Sequence, residues 1–132
     1  MASAIHPSSS EDATVTRFIH AAQSICRPRS ADFHMKVGIG TRELLVKVSR
    51  GAVECIDDMA ALRPLTPWDF SVTAEPDSWQ RFWKVVPDAG WHDIFALMRF
   101  GRMRVEGNLQ PFMAHLQFVK DLLAAPRSKD QA

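Results

Sequence analysis

Few residues in this 132-residue chain could do chemistry by type and spacing. His92 and Asp93 are adjacent, and on a helix neighbours point about 100° apart, so a mutual dyad is awkward. Either alone could still serve as an acid or base in an apolar pocket, where burial raises a carboxylate's pKa. The plainer expectation puts both on the solvated side opposite Phe95 and Met98. His6, His20, His34, His92 and His115 form no His-Glu-x-x-His array, and Cys26 and Cys55 have no metal-like or redox spacing. Gly38-Ile39-Gly40 lacks the third glycine of a phosphate loop, because Glu43 stands there, and it lies inside a strand-like run. No Gly-x-Ser-x-Gly elbow occurs. Arg99, Arg102 and Arg104 cluster around Gly101, and the last two are expected on one strand face. There they could hold a phosphate or headgroup, or simply face water.

The remaining chemistry is apolar. Trp79, Phe82, Trp83, Trp91, Phe95, Met98, Phe112, Met113 and Phe118 crowd the second half of the chain. Most must be ordinary core. Methionine and aromatic side chains also adapt to irregular apolar guests. A helix with two apolar lines can cover a core with one and a cavity or partner with the other.

The elements that would carry these residues follow from periodicity. Val15, Phe18, Ile19, Ala22 and Ile25 predict an amphipathic helix over 11–26, capped by Ser9 or Ser10 and ended by Arg27-Pro28. The period then becomes two. Phe33, Met35, Val37 and Ile39 alternate with polar or small residues, as do Leu44, Val46 and Val48, and Ser49-Arg50-Gly51 marks a tight turn before Val53 and Cys55. Trp68, Phe70, Val72 and Ala74 predict a fourth strand after a proline-marked loop. Asp77 is expected to cap a helix carrying Trp79, Phe82, Trp83 and Val86, broken by Pro87 and Gly90. Trp91, Ile94, Phe95 and Met98 predict the next helix, stopped by Gly101. Arg102 to Gly107 reads as a fifth strand with Met103 and Val105 inward. One final helix carries Leu109, Phe112, Met113, Leu116, Val119 and Leu123, with a second line through Phe118 and Leu122.

The order is α-β-β-β-β-α-α-β-α, an α+β pattern with a mostly antiparallel five-stranded sheet covered on one face by helices. One domain over 11–125 is expected, with flexible tails at 1–10 and 126–132. A net charge of +1 gives no electrostatic case for nucleic acid. No charged leader, apolar signal region or membrane-length run is visible, and two cysteines without framework spacing suit a reducing compartment. A cytoplasmic location is expected.

The stretch from Gly101 through Gly107-Asn108, followed by an amphipathic helix, resembles the C-terminal signature of the sterol-carrier-protein lipid-binding domain. "HDIFALMRF" stands where that family has a short helix leading into the glycine. "RELLVKVSRGAVECI" resembles its strand-turn-strand hairpin, and "DFSVTAEPDSWQRFW" its next strand running into a helix. The resemblance spans about residues 31–124. It implies helices over one face of the sheet, an apolar tunnel between them, and non-catalytic binding of sterols, fatty acids, acyl-CoA or phospholipids. The long loop from Asp57 to Pro67 and the Pro87/Gly90 break depart from the family pattern.

We therefore expect a carrier of a lipid-like ligand, not an enzyme and without a cofactor or metal. Phe82, Trp83, Trp91, Phe95, Met98, Phe112, Met113 and Leu116 are expected to line its cavity, with Arg99, Arg102 and Arg104 as headgroup contacts. Transient membrane contact and a homodimer are compatible with this. The alternatives are a small cone-fold isomerase or dehydratase using Asp93 or His92, and an apolar dimerisation or interaction module.

Overall fold

The computed structural model describes residues 5–26 and 31–127, without the side chains of 5–10. In chain order the elements are α1 (Ile5–Ala22), β1 (Phe33–Ile39), β2 (Arg42–Ser49), β3 (Ala52–Asp58), β4 (Phe70–Ala74), α2 (Pro76–Phe82), α3 (Ile94–Arg99), β5 (Arg104–Gly107), α4 (Leu109–Ala114) and α5 (Leu116–Leu123). A short 3-10 turn, Met59–Ala61, follows β3. The strands form one sheet in the order β3-β2-β1-β4-β5. The predicted α+β order holds, with one more helix at the end.

Alternation sets the sheet. On β1, Phe33, Met35, Val37 and Ile39 are buried, and they pack in one core with Val15, Phe18 and Ala22 of α1 and with Phe118, Val119, Leu122 and Leu123 of α5. Each such side chain stabilises the fold by about 1.5–3 kcal/mol when fully buried. The β2–β3 hairpin closes through Arg50 and Gly51, both at positive φ (54° and 79°), the geometry a two-residue primed turn needs. The β1–β2 turn places Gly40 at φ 63°, where a Cβ would meet the Glu11 carboxylate. Glu11 accepts from the Thr41 N–H (2.9 Å) and hydroxyl (2.7 Å), tying α1 to this turn. Those two bonds, the hydroxyl's first, hold the Glu11 carboxyl below its ordinary pKa.

The sheet is mixed. All neighbouring strands run antiparallel except β1 and β4, which pair in parallel from Met35↔Phe70 to Ile39↔Ala74. The loop that departed from the expected pattern explains this. The chain leaves β3 at the sheet edge and crosses back past two strands before pairing beside β1, so it enters in the same direction. Asp58 starts the crossing by accepting from Ala60 N–H (3.0 Å), and Arg42 bridges Asp58 (2.7 Å) and Asp12. The Ala60 bond and the Arg42 guanidinium keep the Asp58 carboxyl below the usual range.

Several local expectations are corrected. Ser9 and Ser10 lie inside α1 rather than capping it, because the helix begins at Ile5. It ends at Ala22, short of the predicted Cys26, and Cys26 instead bridges Ala52 beside β3. The predicted stop at Arg27-Pro28 lies outside the described residues, as do tail residues 1–4 and 128–132. Glu75, not Asp77, is the N-cap of α2, since Pro76 takes the first helical position where its missing N–H is harmless. The final helix is two helices, broken at His115 (φ −119°, ψ 34°). A straight helix would point Phe112 and Phe118 about 120° apart. The break lets Phe112 meet Phe70 (5.5 Å) and Phe118 meet Phe33 (6.0 Å) in the same core.

Candidate ligand-binding region

The aromatic residues of α2 close the core tightly. Trp79 and Trp83 are fully buried with ring centroids 5.6 Å apart, and Trp83 stacks on Phe18 at 6.3 Å and 10°. Both indoles donate to backbone carbonyls, Trp79 Nε1 to Gly38 (3.0 Å) and Trp83 Nε1 to Leu123 (2.8 Å). A buried indole N–H needs such a partner, and here each bond also pins α2, to the sheet and to α5. Phe82 is buried beside them, and its carbonyl accepts from the Arg127 Nε–H (3.1 Å).

The region of α3, α4 and α5 is packed less completely. Ile94 and Leu97 enter the core, whereas Phe95 is 37% exposed and touches Phe112 edge-on at 6.2 Å. Phe112 is buried, but Leu109 and Met113 on the next face of α4 are 45% and 55% exposed. Met98 and Leu116 lie partly buried against the core. Lys120 forms the polar rim, 3.2 Å from Asp93 and 5.2 Å from the Phe95 ring. Of the eight expected lining residues, Phe82, Trp83, Trp91 and Phe112 thus sit within the packed core. Phe95, Met98, Met113 and Leu116 sit at its open margin.

The arginines separate. Gly101 ends α3 at φ 71°, with Arg102 N–H donating to Leu97 (2.8 Å) and Gly101 N–H to Met98 (3.1 Å), a Schellman closure. Arg102 is therefore in the turn and not on the strand face with Arg104, as the alternation suggested. Its guanidinium stacks on Trp91 at 4.4 Å, and Arg81 stacks on the same ring at 4.1 Å. Arg102 and Arg104 still share a small cleft of about 130 Å³ with Thr73, Glu75 and Gly101. Arg99 is exposed at the end of α3.

His92 is exposed, and Asp93 pairs with Lys120 while its carbonyl accepts from the Ala96 and Leu97 N–H groups of α3. Neither borders the clefts described for this chain. Among the described residues no group of three or more His, Cys, Asp or Glu could hold a metal, and no helix is long and apolar enough to cross a membrane. A cleft of about 490 Å³ that sequence reasoning missed lies between the start of β1, the end of β2 and the approach to β4. Phe33, His34, Val48, Trp68 and Asp69 are among its walls. Asp69 accepts there from the His34 N–H (2.8 Å). Its parts come from four segments, Glu54 of β3 among them, and Trp68, expected within the fourth strand, instead precedes it in this wall.

A five-stranded sheet in this order, with helices packed on one face and a pair of helices closing the chain, defines an α+β fold of one sheet and one helical layer. Among solved structures, that of sterol carrier protein 2 matches with a TM-score of 0.56 at 11% identity, covering 90% of this chain and 94% of that one. Sterol carrier protein 2 like 2 from Aedes aegypti matches at 0.50 and 12% identity, covering 81% of this chain and 93% of its own. The fold of this chain is that of sterol carrier protein 2. No sequence family model matches the chain, and no curated protein matches it.

Proposed function

We propose that the protein binds and carries a lipid-like hydrophobic ligand, a fatty acid, acyl-CoA, phospholipid or sterol-like molecule, without transforming it. The fold likeness to sterol carrier protein 2 supports the class. The observation that carries the reading for this chain is the apolar margin where Phe95, Leu109 and Met113 stand open around buried Phe112. An apolar chain seated there removes water from these side chains and gains about 25 cal/mol for each Å² buried. Few polar groups are needed for such a site, which agrees with the absence of a catalytic motif.

In this reading the ligand parts α3 from α4 and α5, where Met98, Met113 and Leu116 can repack. Its inner end reaches Phe112, with Phe82, Trp83 and Trp91 in the packed core behind it. Arg102 and Arg104, with Arg99 nearby, face an anionic headgroup at the small cleft. The protein works from the cytoplasm and touches a membrane transiently to load.

Uptake of a fluorescent fatty acid by the wild type and by Met113→Glu tests this. Met113 is more than half exposed, so the variant should fold normally and lose uptake. Unchanged uptake removes the margin from the site. If the wild type takes up nothing and Met113→Glu converts a dimer to a monomer, the margin is a subunit interface instead.

A further inference from the structure

A second set of exposed apolar side chains follows the ends of α2 and α3, and its charge is different. Val85 and Val86, on the turn after α2, are 44% and 79% exposed, and Phe100 at the end of α3 is 59% exposed. Contacts join the two segments: a Cβ on Gly90, four residues beyond Val86, would lie 3.9 Å from the Phe100 ring and 3.5 Å from the Arg102 guanidinium. Beneath it Arg81, Trp91, Arg102 and Phe100 form a row of cation–ring contacts of 4.1, 4.4 and 5.1 Å. Lys84 (3.1 Å) and Arg81 (3.8 Å) share Asp88. Among the described residues no carboxylate pairs with Arg99 or Arg102. Arg81, Lys84, Arg99 and Arg102 thus outweigh Asp88 and Glu75, the latter in the small cleft with Arg102, around the three apolar side chains, on a chain whose net charge is only +1.

We propose that this face docks on an anionic lipid bilayer, with Val86 and Phe100 entering the headgroup boundary and the surrounding cations facing lipid phosphates and carboxylates. The shape favours a bilayer over an acidic protein. Val86 and Phe100 stand out from the surface, and neither lines any of the clefts described above. Projecting apolar groups within a basic ring suit an interface that is apolar beneath and negative at its surface. The inference deepens the carrier reading by naming the loading surface and the membrane charge it requires. It rests on that reading only for its purpose.

Co-sedimentation of the full chain with vesicles tests it, using phosphatidylcholine alone and phosphatidylcholine mixed with phosphatidylserine. The wild type should bind the mixed vesicles, bind neutral ones weakly, and release as salt rises. Val86→Asp combined with Phe100→Ser should lose binding with its circular dichroism melt intact. Lys84→Glu should weaken binding by about fivefold or more, the effect of one basic residue near such a surface. Wild-type binding by the double variant, equal binding to neutral vesicles, or no vesicle binding at all overturns the proposal. The last result would leave the face to an acidic protein partner. Fatty-acid uptake measured without vesicles separates the two readings. The double variant should take up ligand normally, whereas failed uptake by every form sinks the carrier reading and leaves docking to the vesicle result.

Discussion

The two ends of the aromatic cluster are built from similar residues and packed to different degrees. Around α2, Phe18, Trp79 and Trp83 all pack ring against ring, Phe18 and Trp83 stacked, and each indole N–H is used to fasten one element to another. Around α3 and α4, Phe112 is buried against Phe70 and Phe95, but Phe95 and Met113 beside it both reach solvent. Side chains with satisfied polar edges and no free surface belong to stability. Apolar side chains left half open beside them are available to a guest, and methionine can repack around one at little cost.

Breaking the closed end should have the largest effect. Trp83→Ala removes a fully buried ring and leaves the Leu123 carbonyl without its indole donor. We expect a loss of about 3–5 kcal/mol in urea unfolding. The open end should respond in the opposite way. Met113→Glu should change stability by less than about 0.5 kcal/mol, while fatty-acid uptake falls sharply in a fluorescence titration. Equal stability losses at Trp83 and Met113 would erase the distinction between the two regions.

Smaller effects probe the frame that holds both regions. Gly40→Ala forces a Cβ into a left-handed turn and against the Glu11 carboxylate. It should lower stability by about 1–2 kcal/mol, read from the thermal midpoint. The Glu11 and Asp58 carboxyls both titrate below their ordinary values in the folded chain, the first through Thr41 and the second through the Ala60 N–H and Arg42. A depressed folded pKa stabilises above the unfolded pKa of about 4, and that contribution is lost as pH falls through the folded value. Stability should therefore decline below about pH 4.5, and Glu11→Gln should flatten part of the decline in melts taken across that range.

Much of the frame was legible because it rests on local chemistry. The alternation of Phe33 to Ile39 and of Leu44 to Val48, the Arg50-Gly51 turn and the stop at Gly101 each depend on residues a few positions apart. The parallel pairing of β1 with β4 was not legible, since direction is decided by where the 59–69 crossing delivers the chain. Nor was the break at His115. A single stripe through Leu109, Phe112 and Leu116 looks continuous until Phe70 and Phe33 both demand an aromatic partner from the same helix. The candidate site was legible as a set of types and only partly as a place. Phe95 and Met113 follow the same spacing as Phe82 and Trp83, and spacing cannot tell a margin from a core. Trp91, read as a lining residue, carries the guanidinium groups of both Arg81 and Arg102 over its ring, contacts made across segments ten residues or more apart.

Carriage by this protein requires that the open margin hold a lipid. Native mass spectrometry of gently purified protein, with an organic extract of the same sample analysed for lipids, tests it most directly. We expect a bound mass matching a fatty acid, acyl-CoA, phospholipid or sterol-like molecule, present on the wild type and lost from Met113→Glu. A wild-type protein that stays at its bare mass, even after incubation with a lipid mixture, would contradict it.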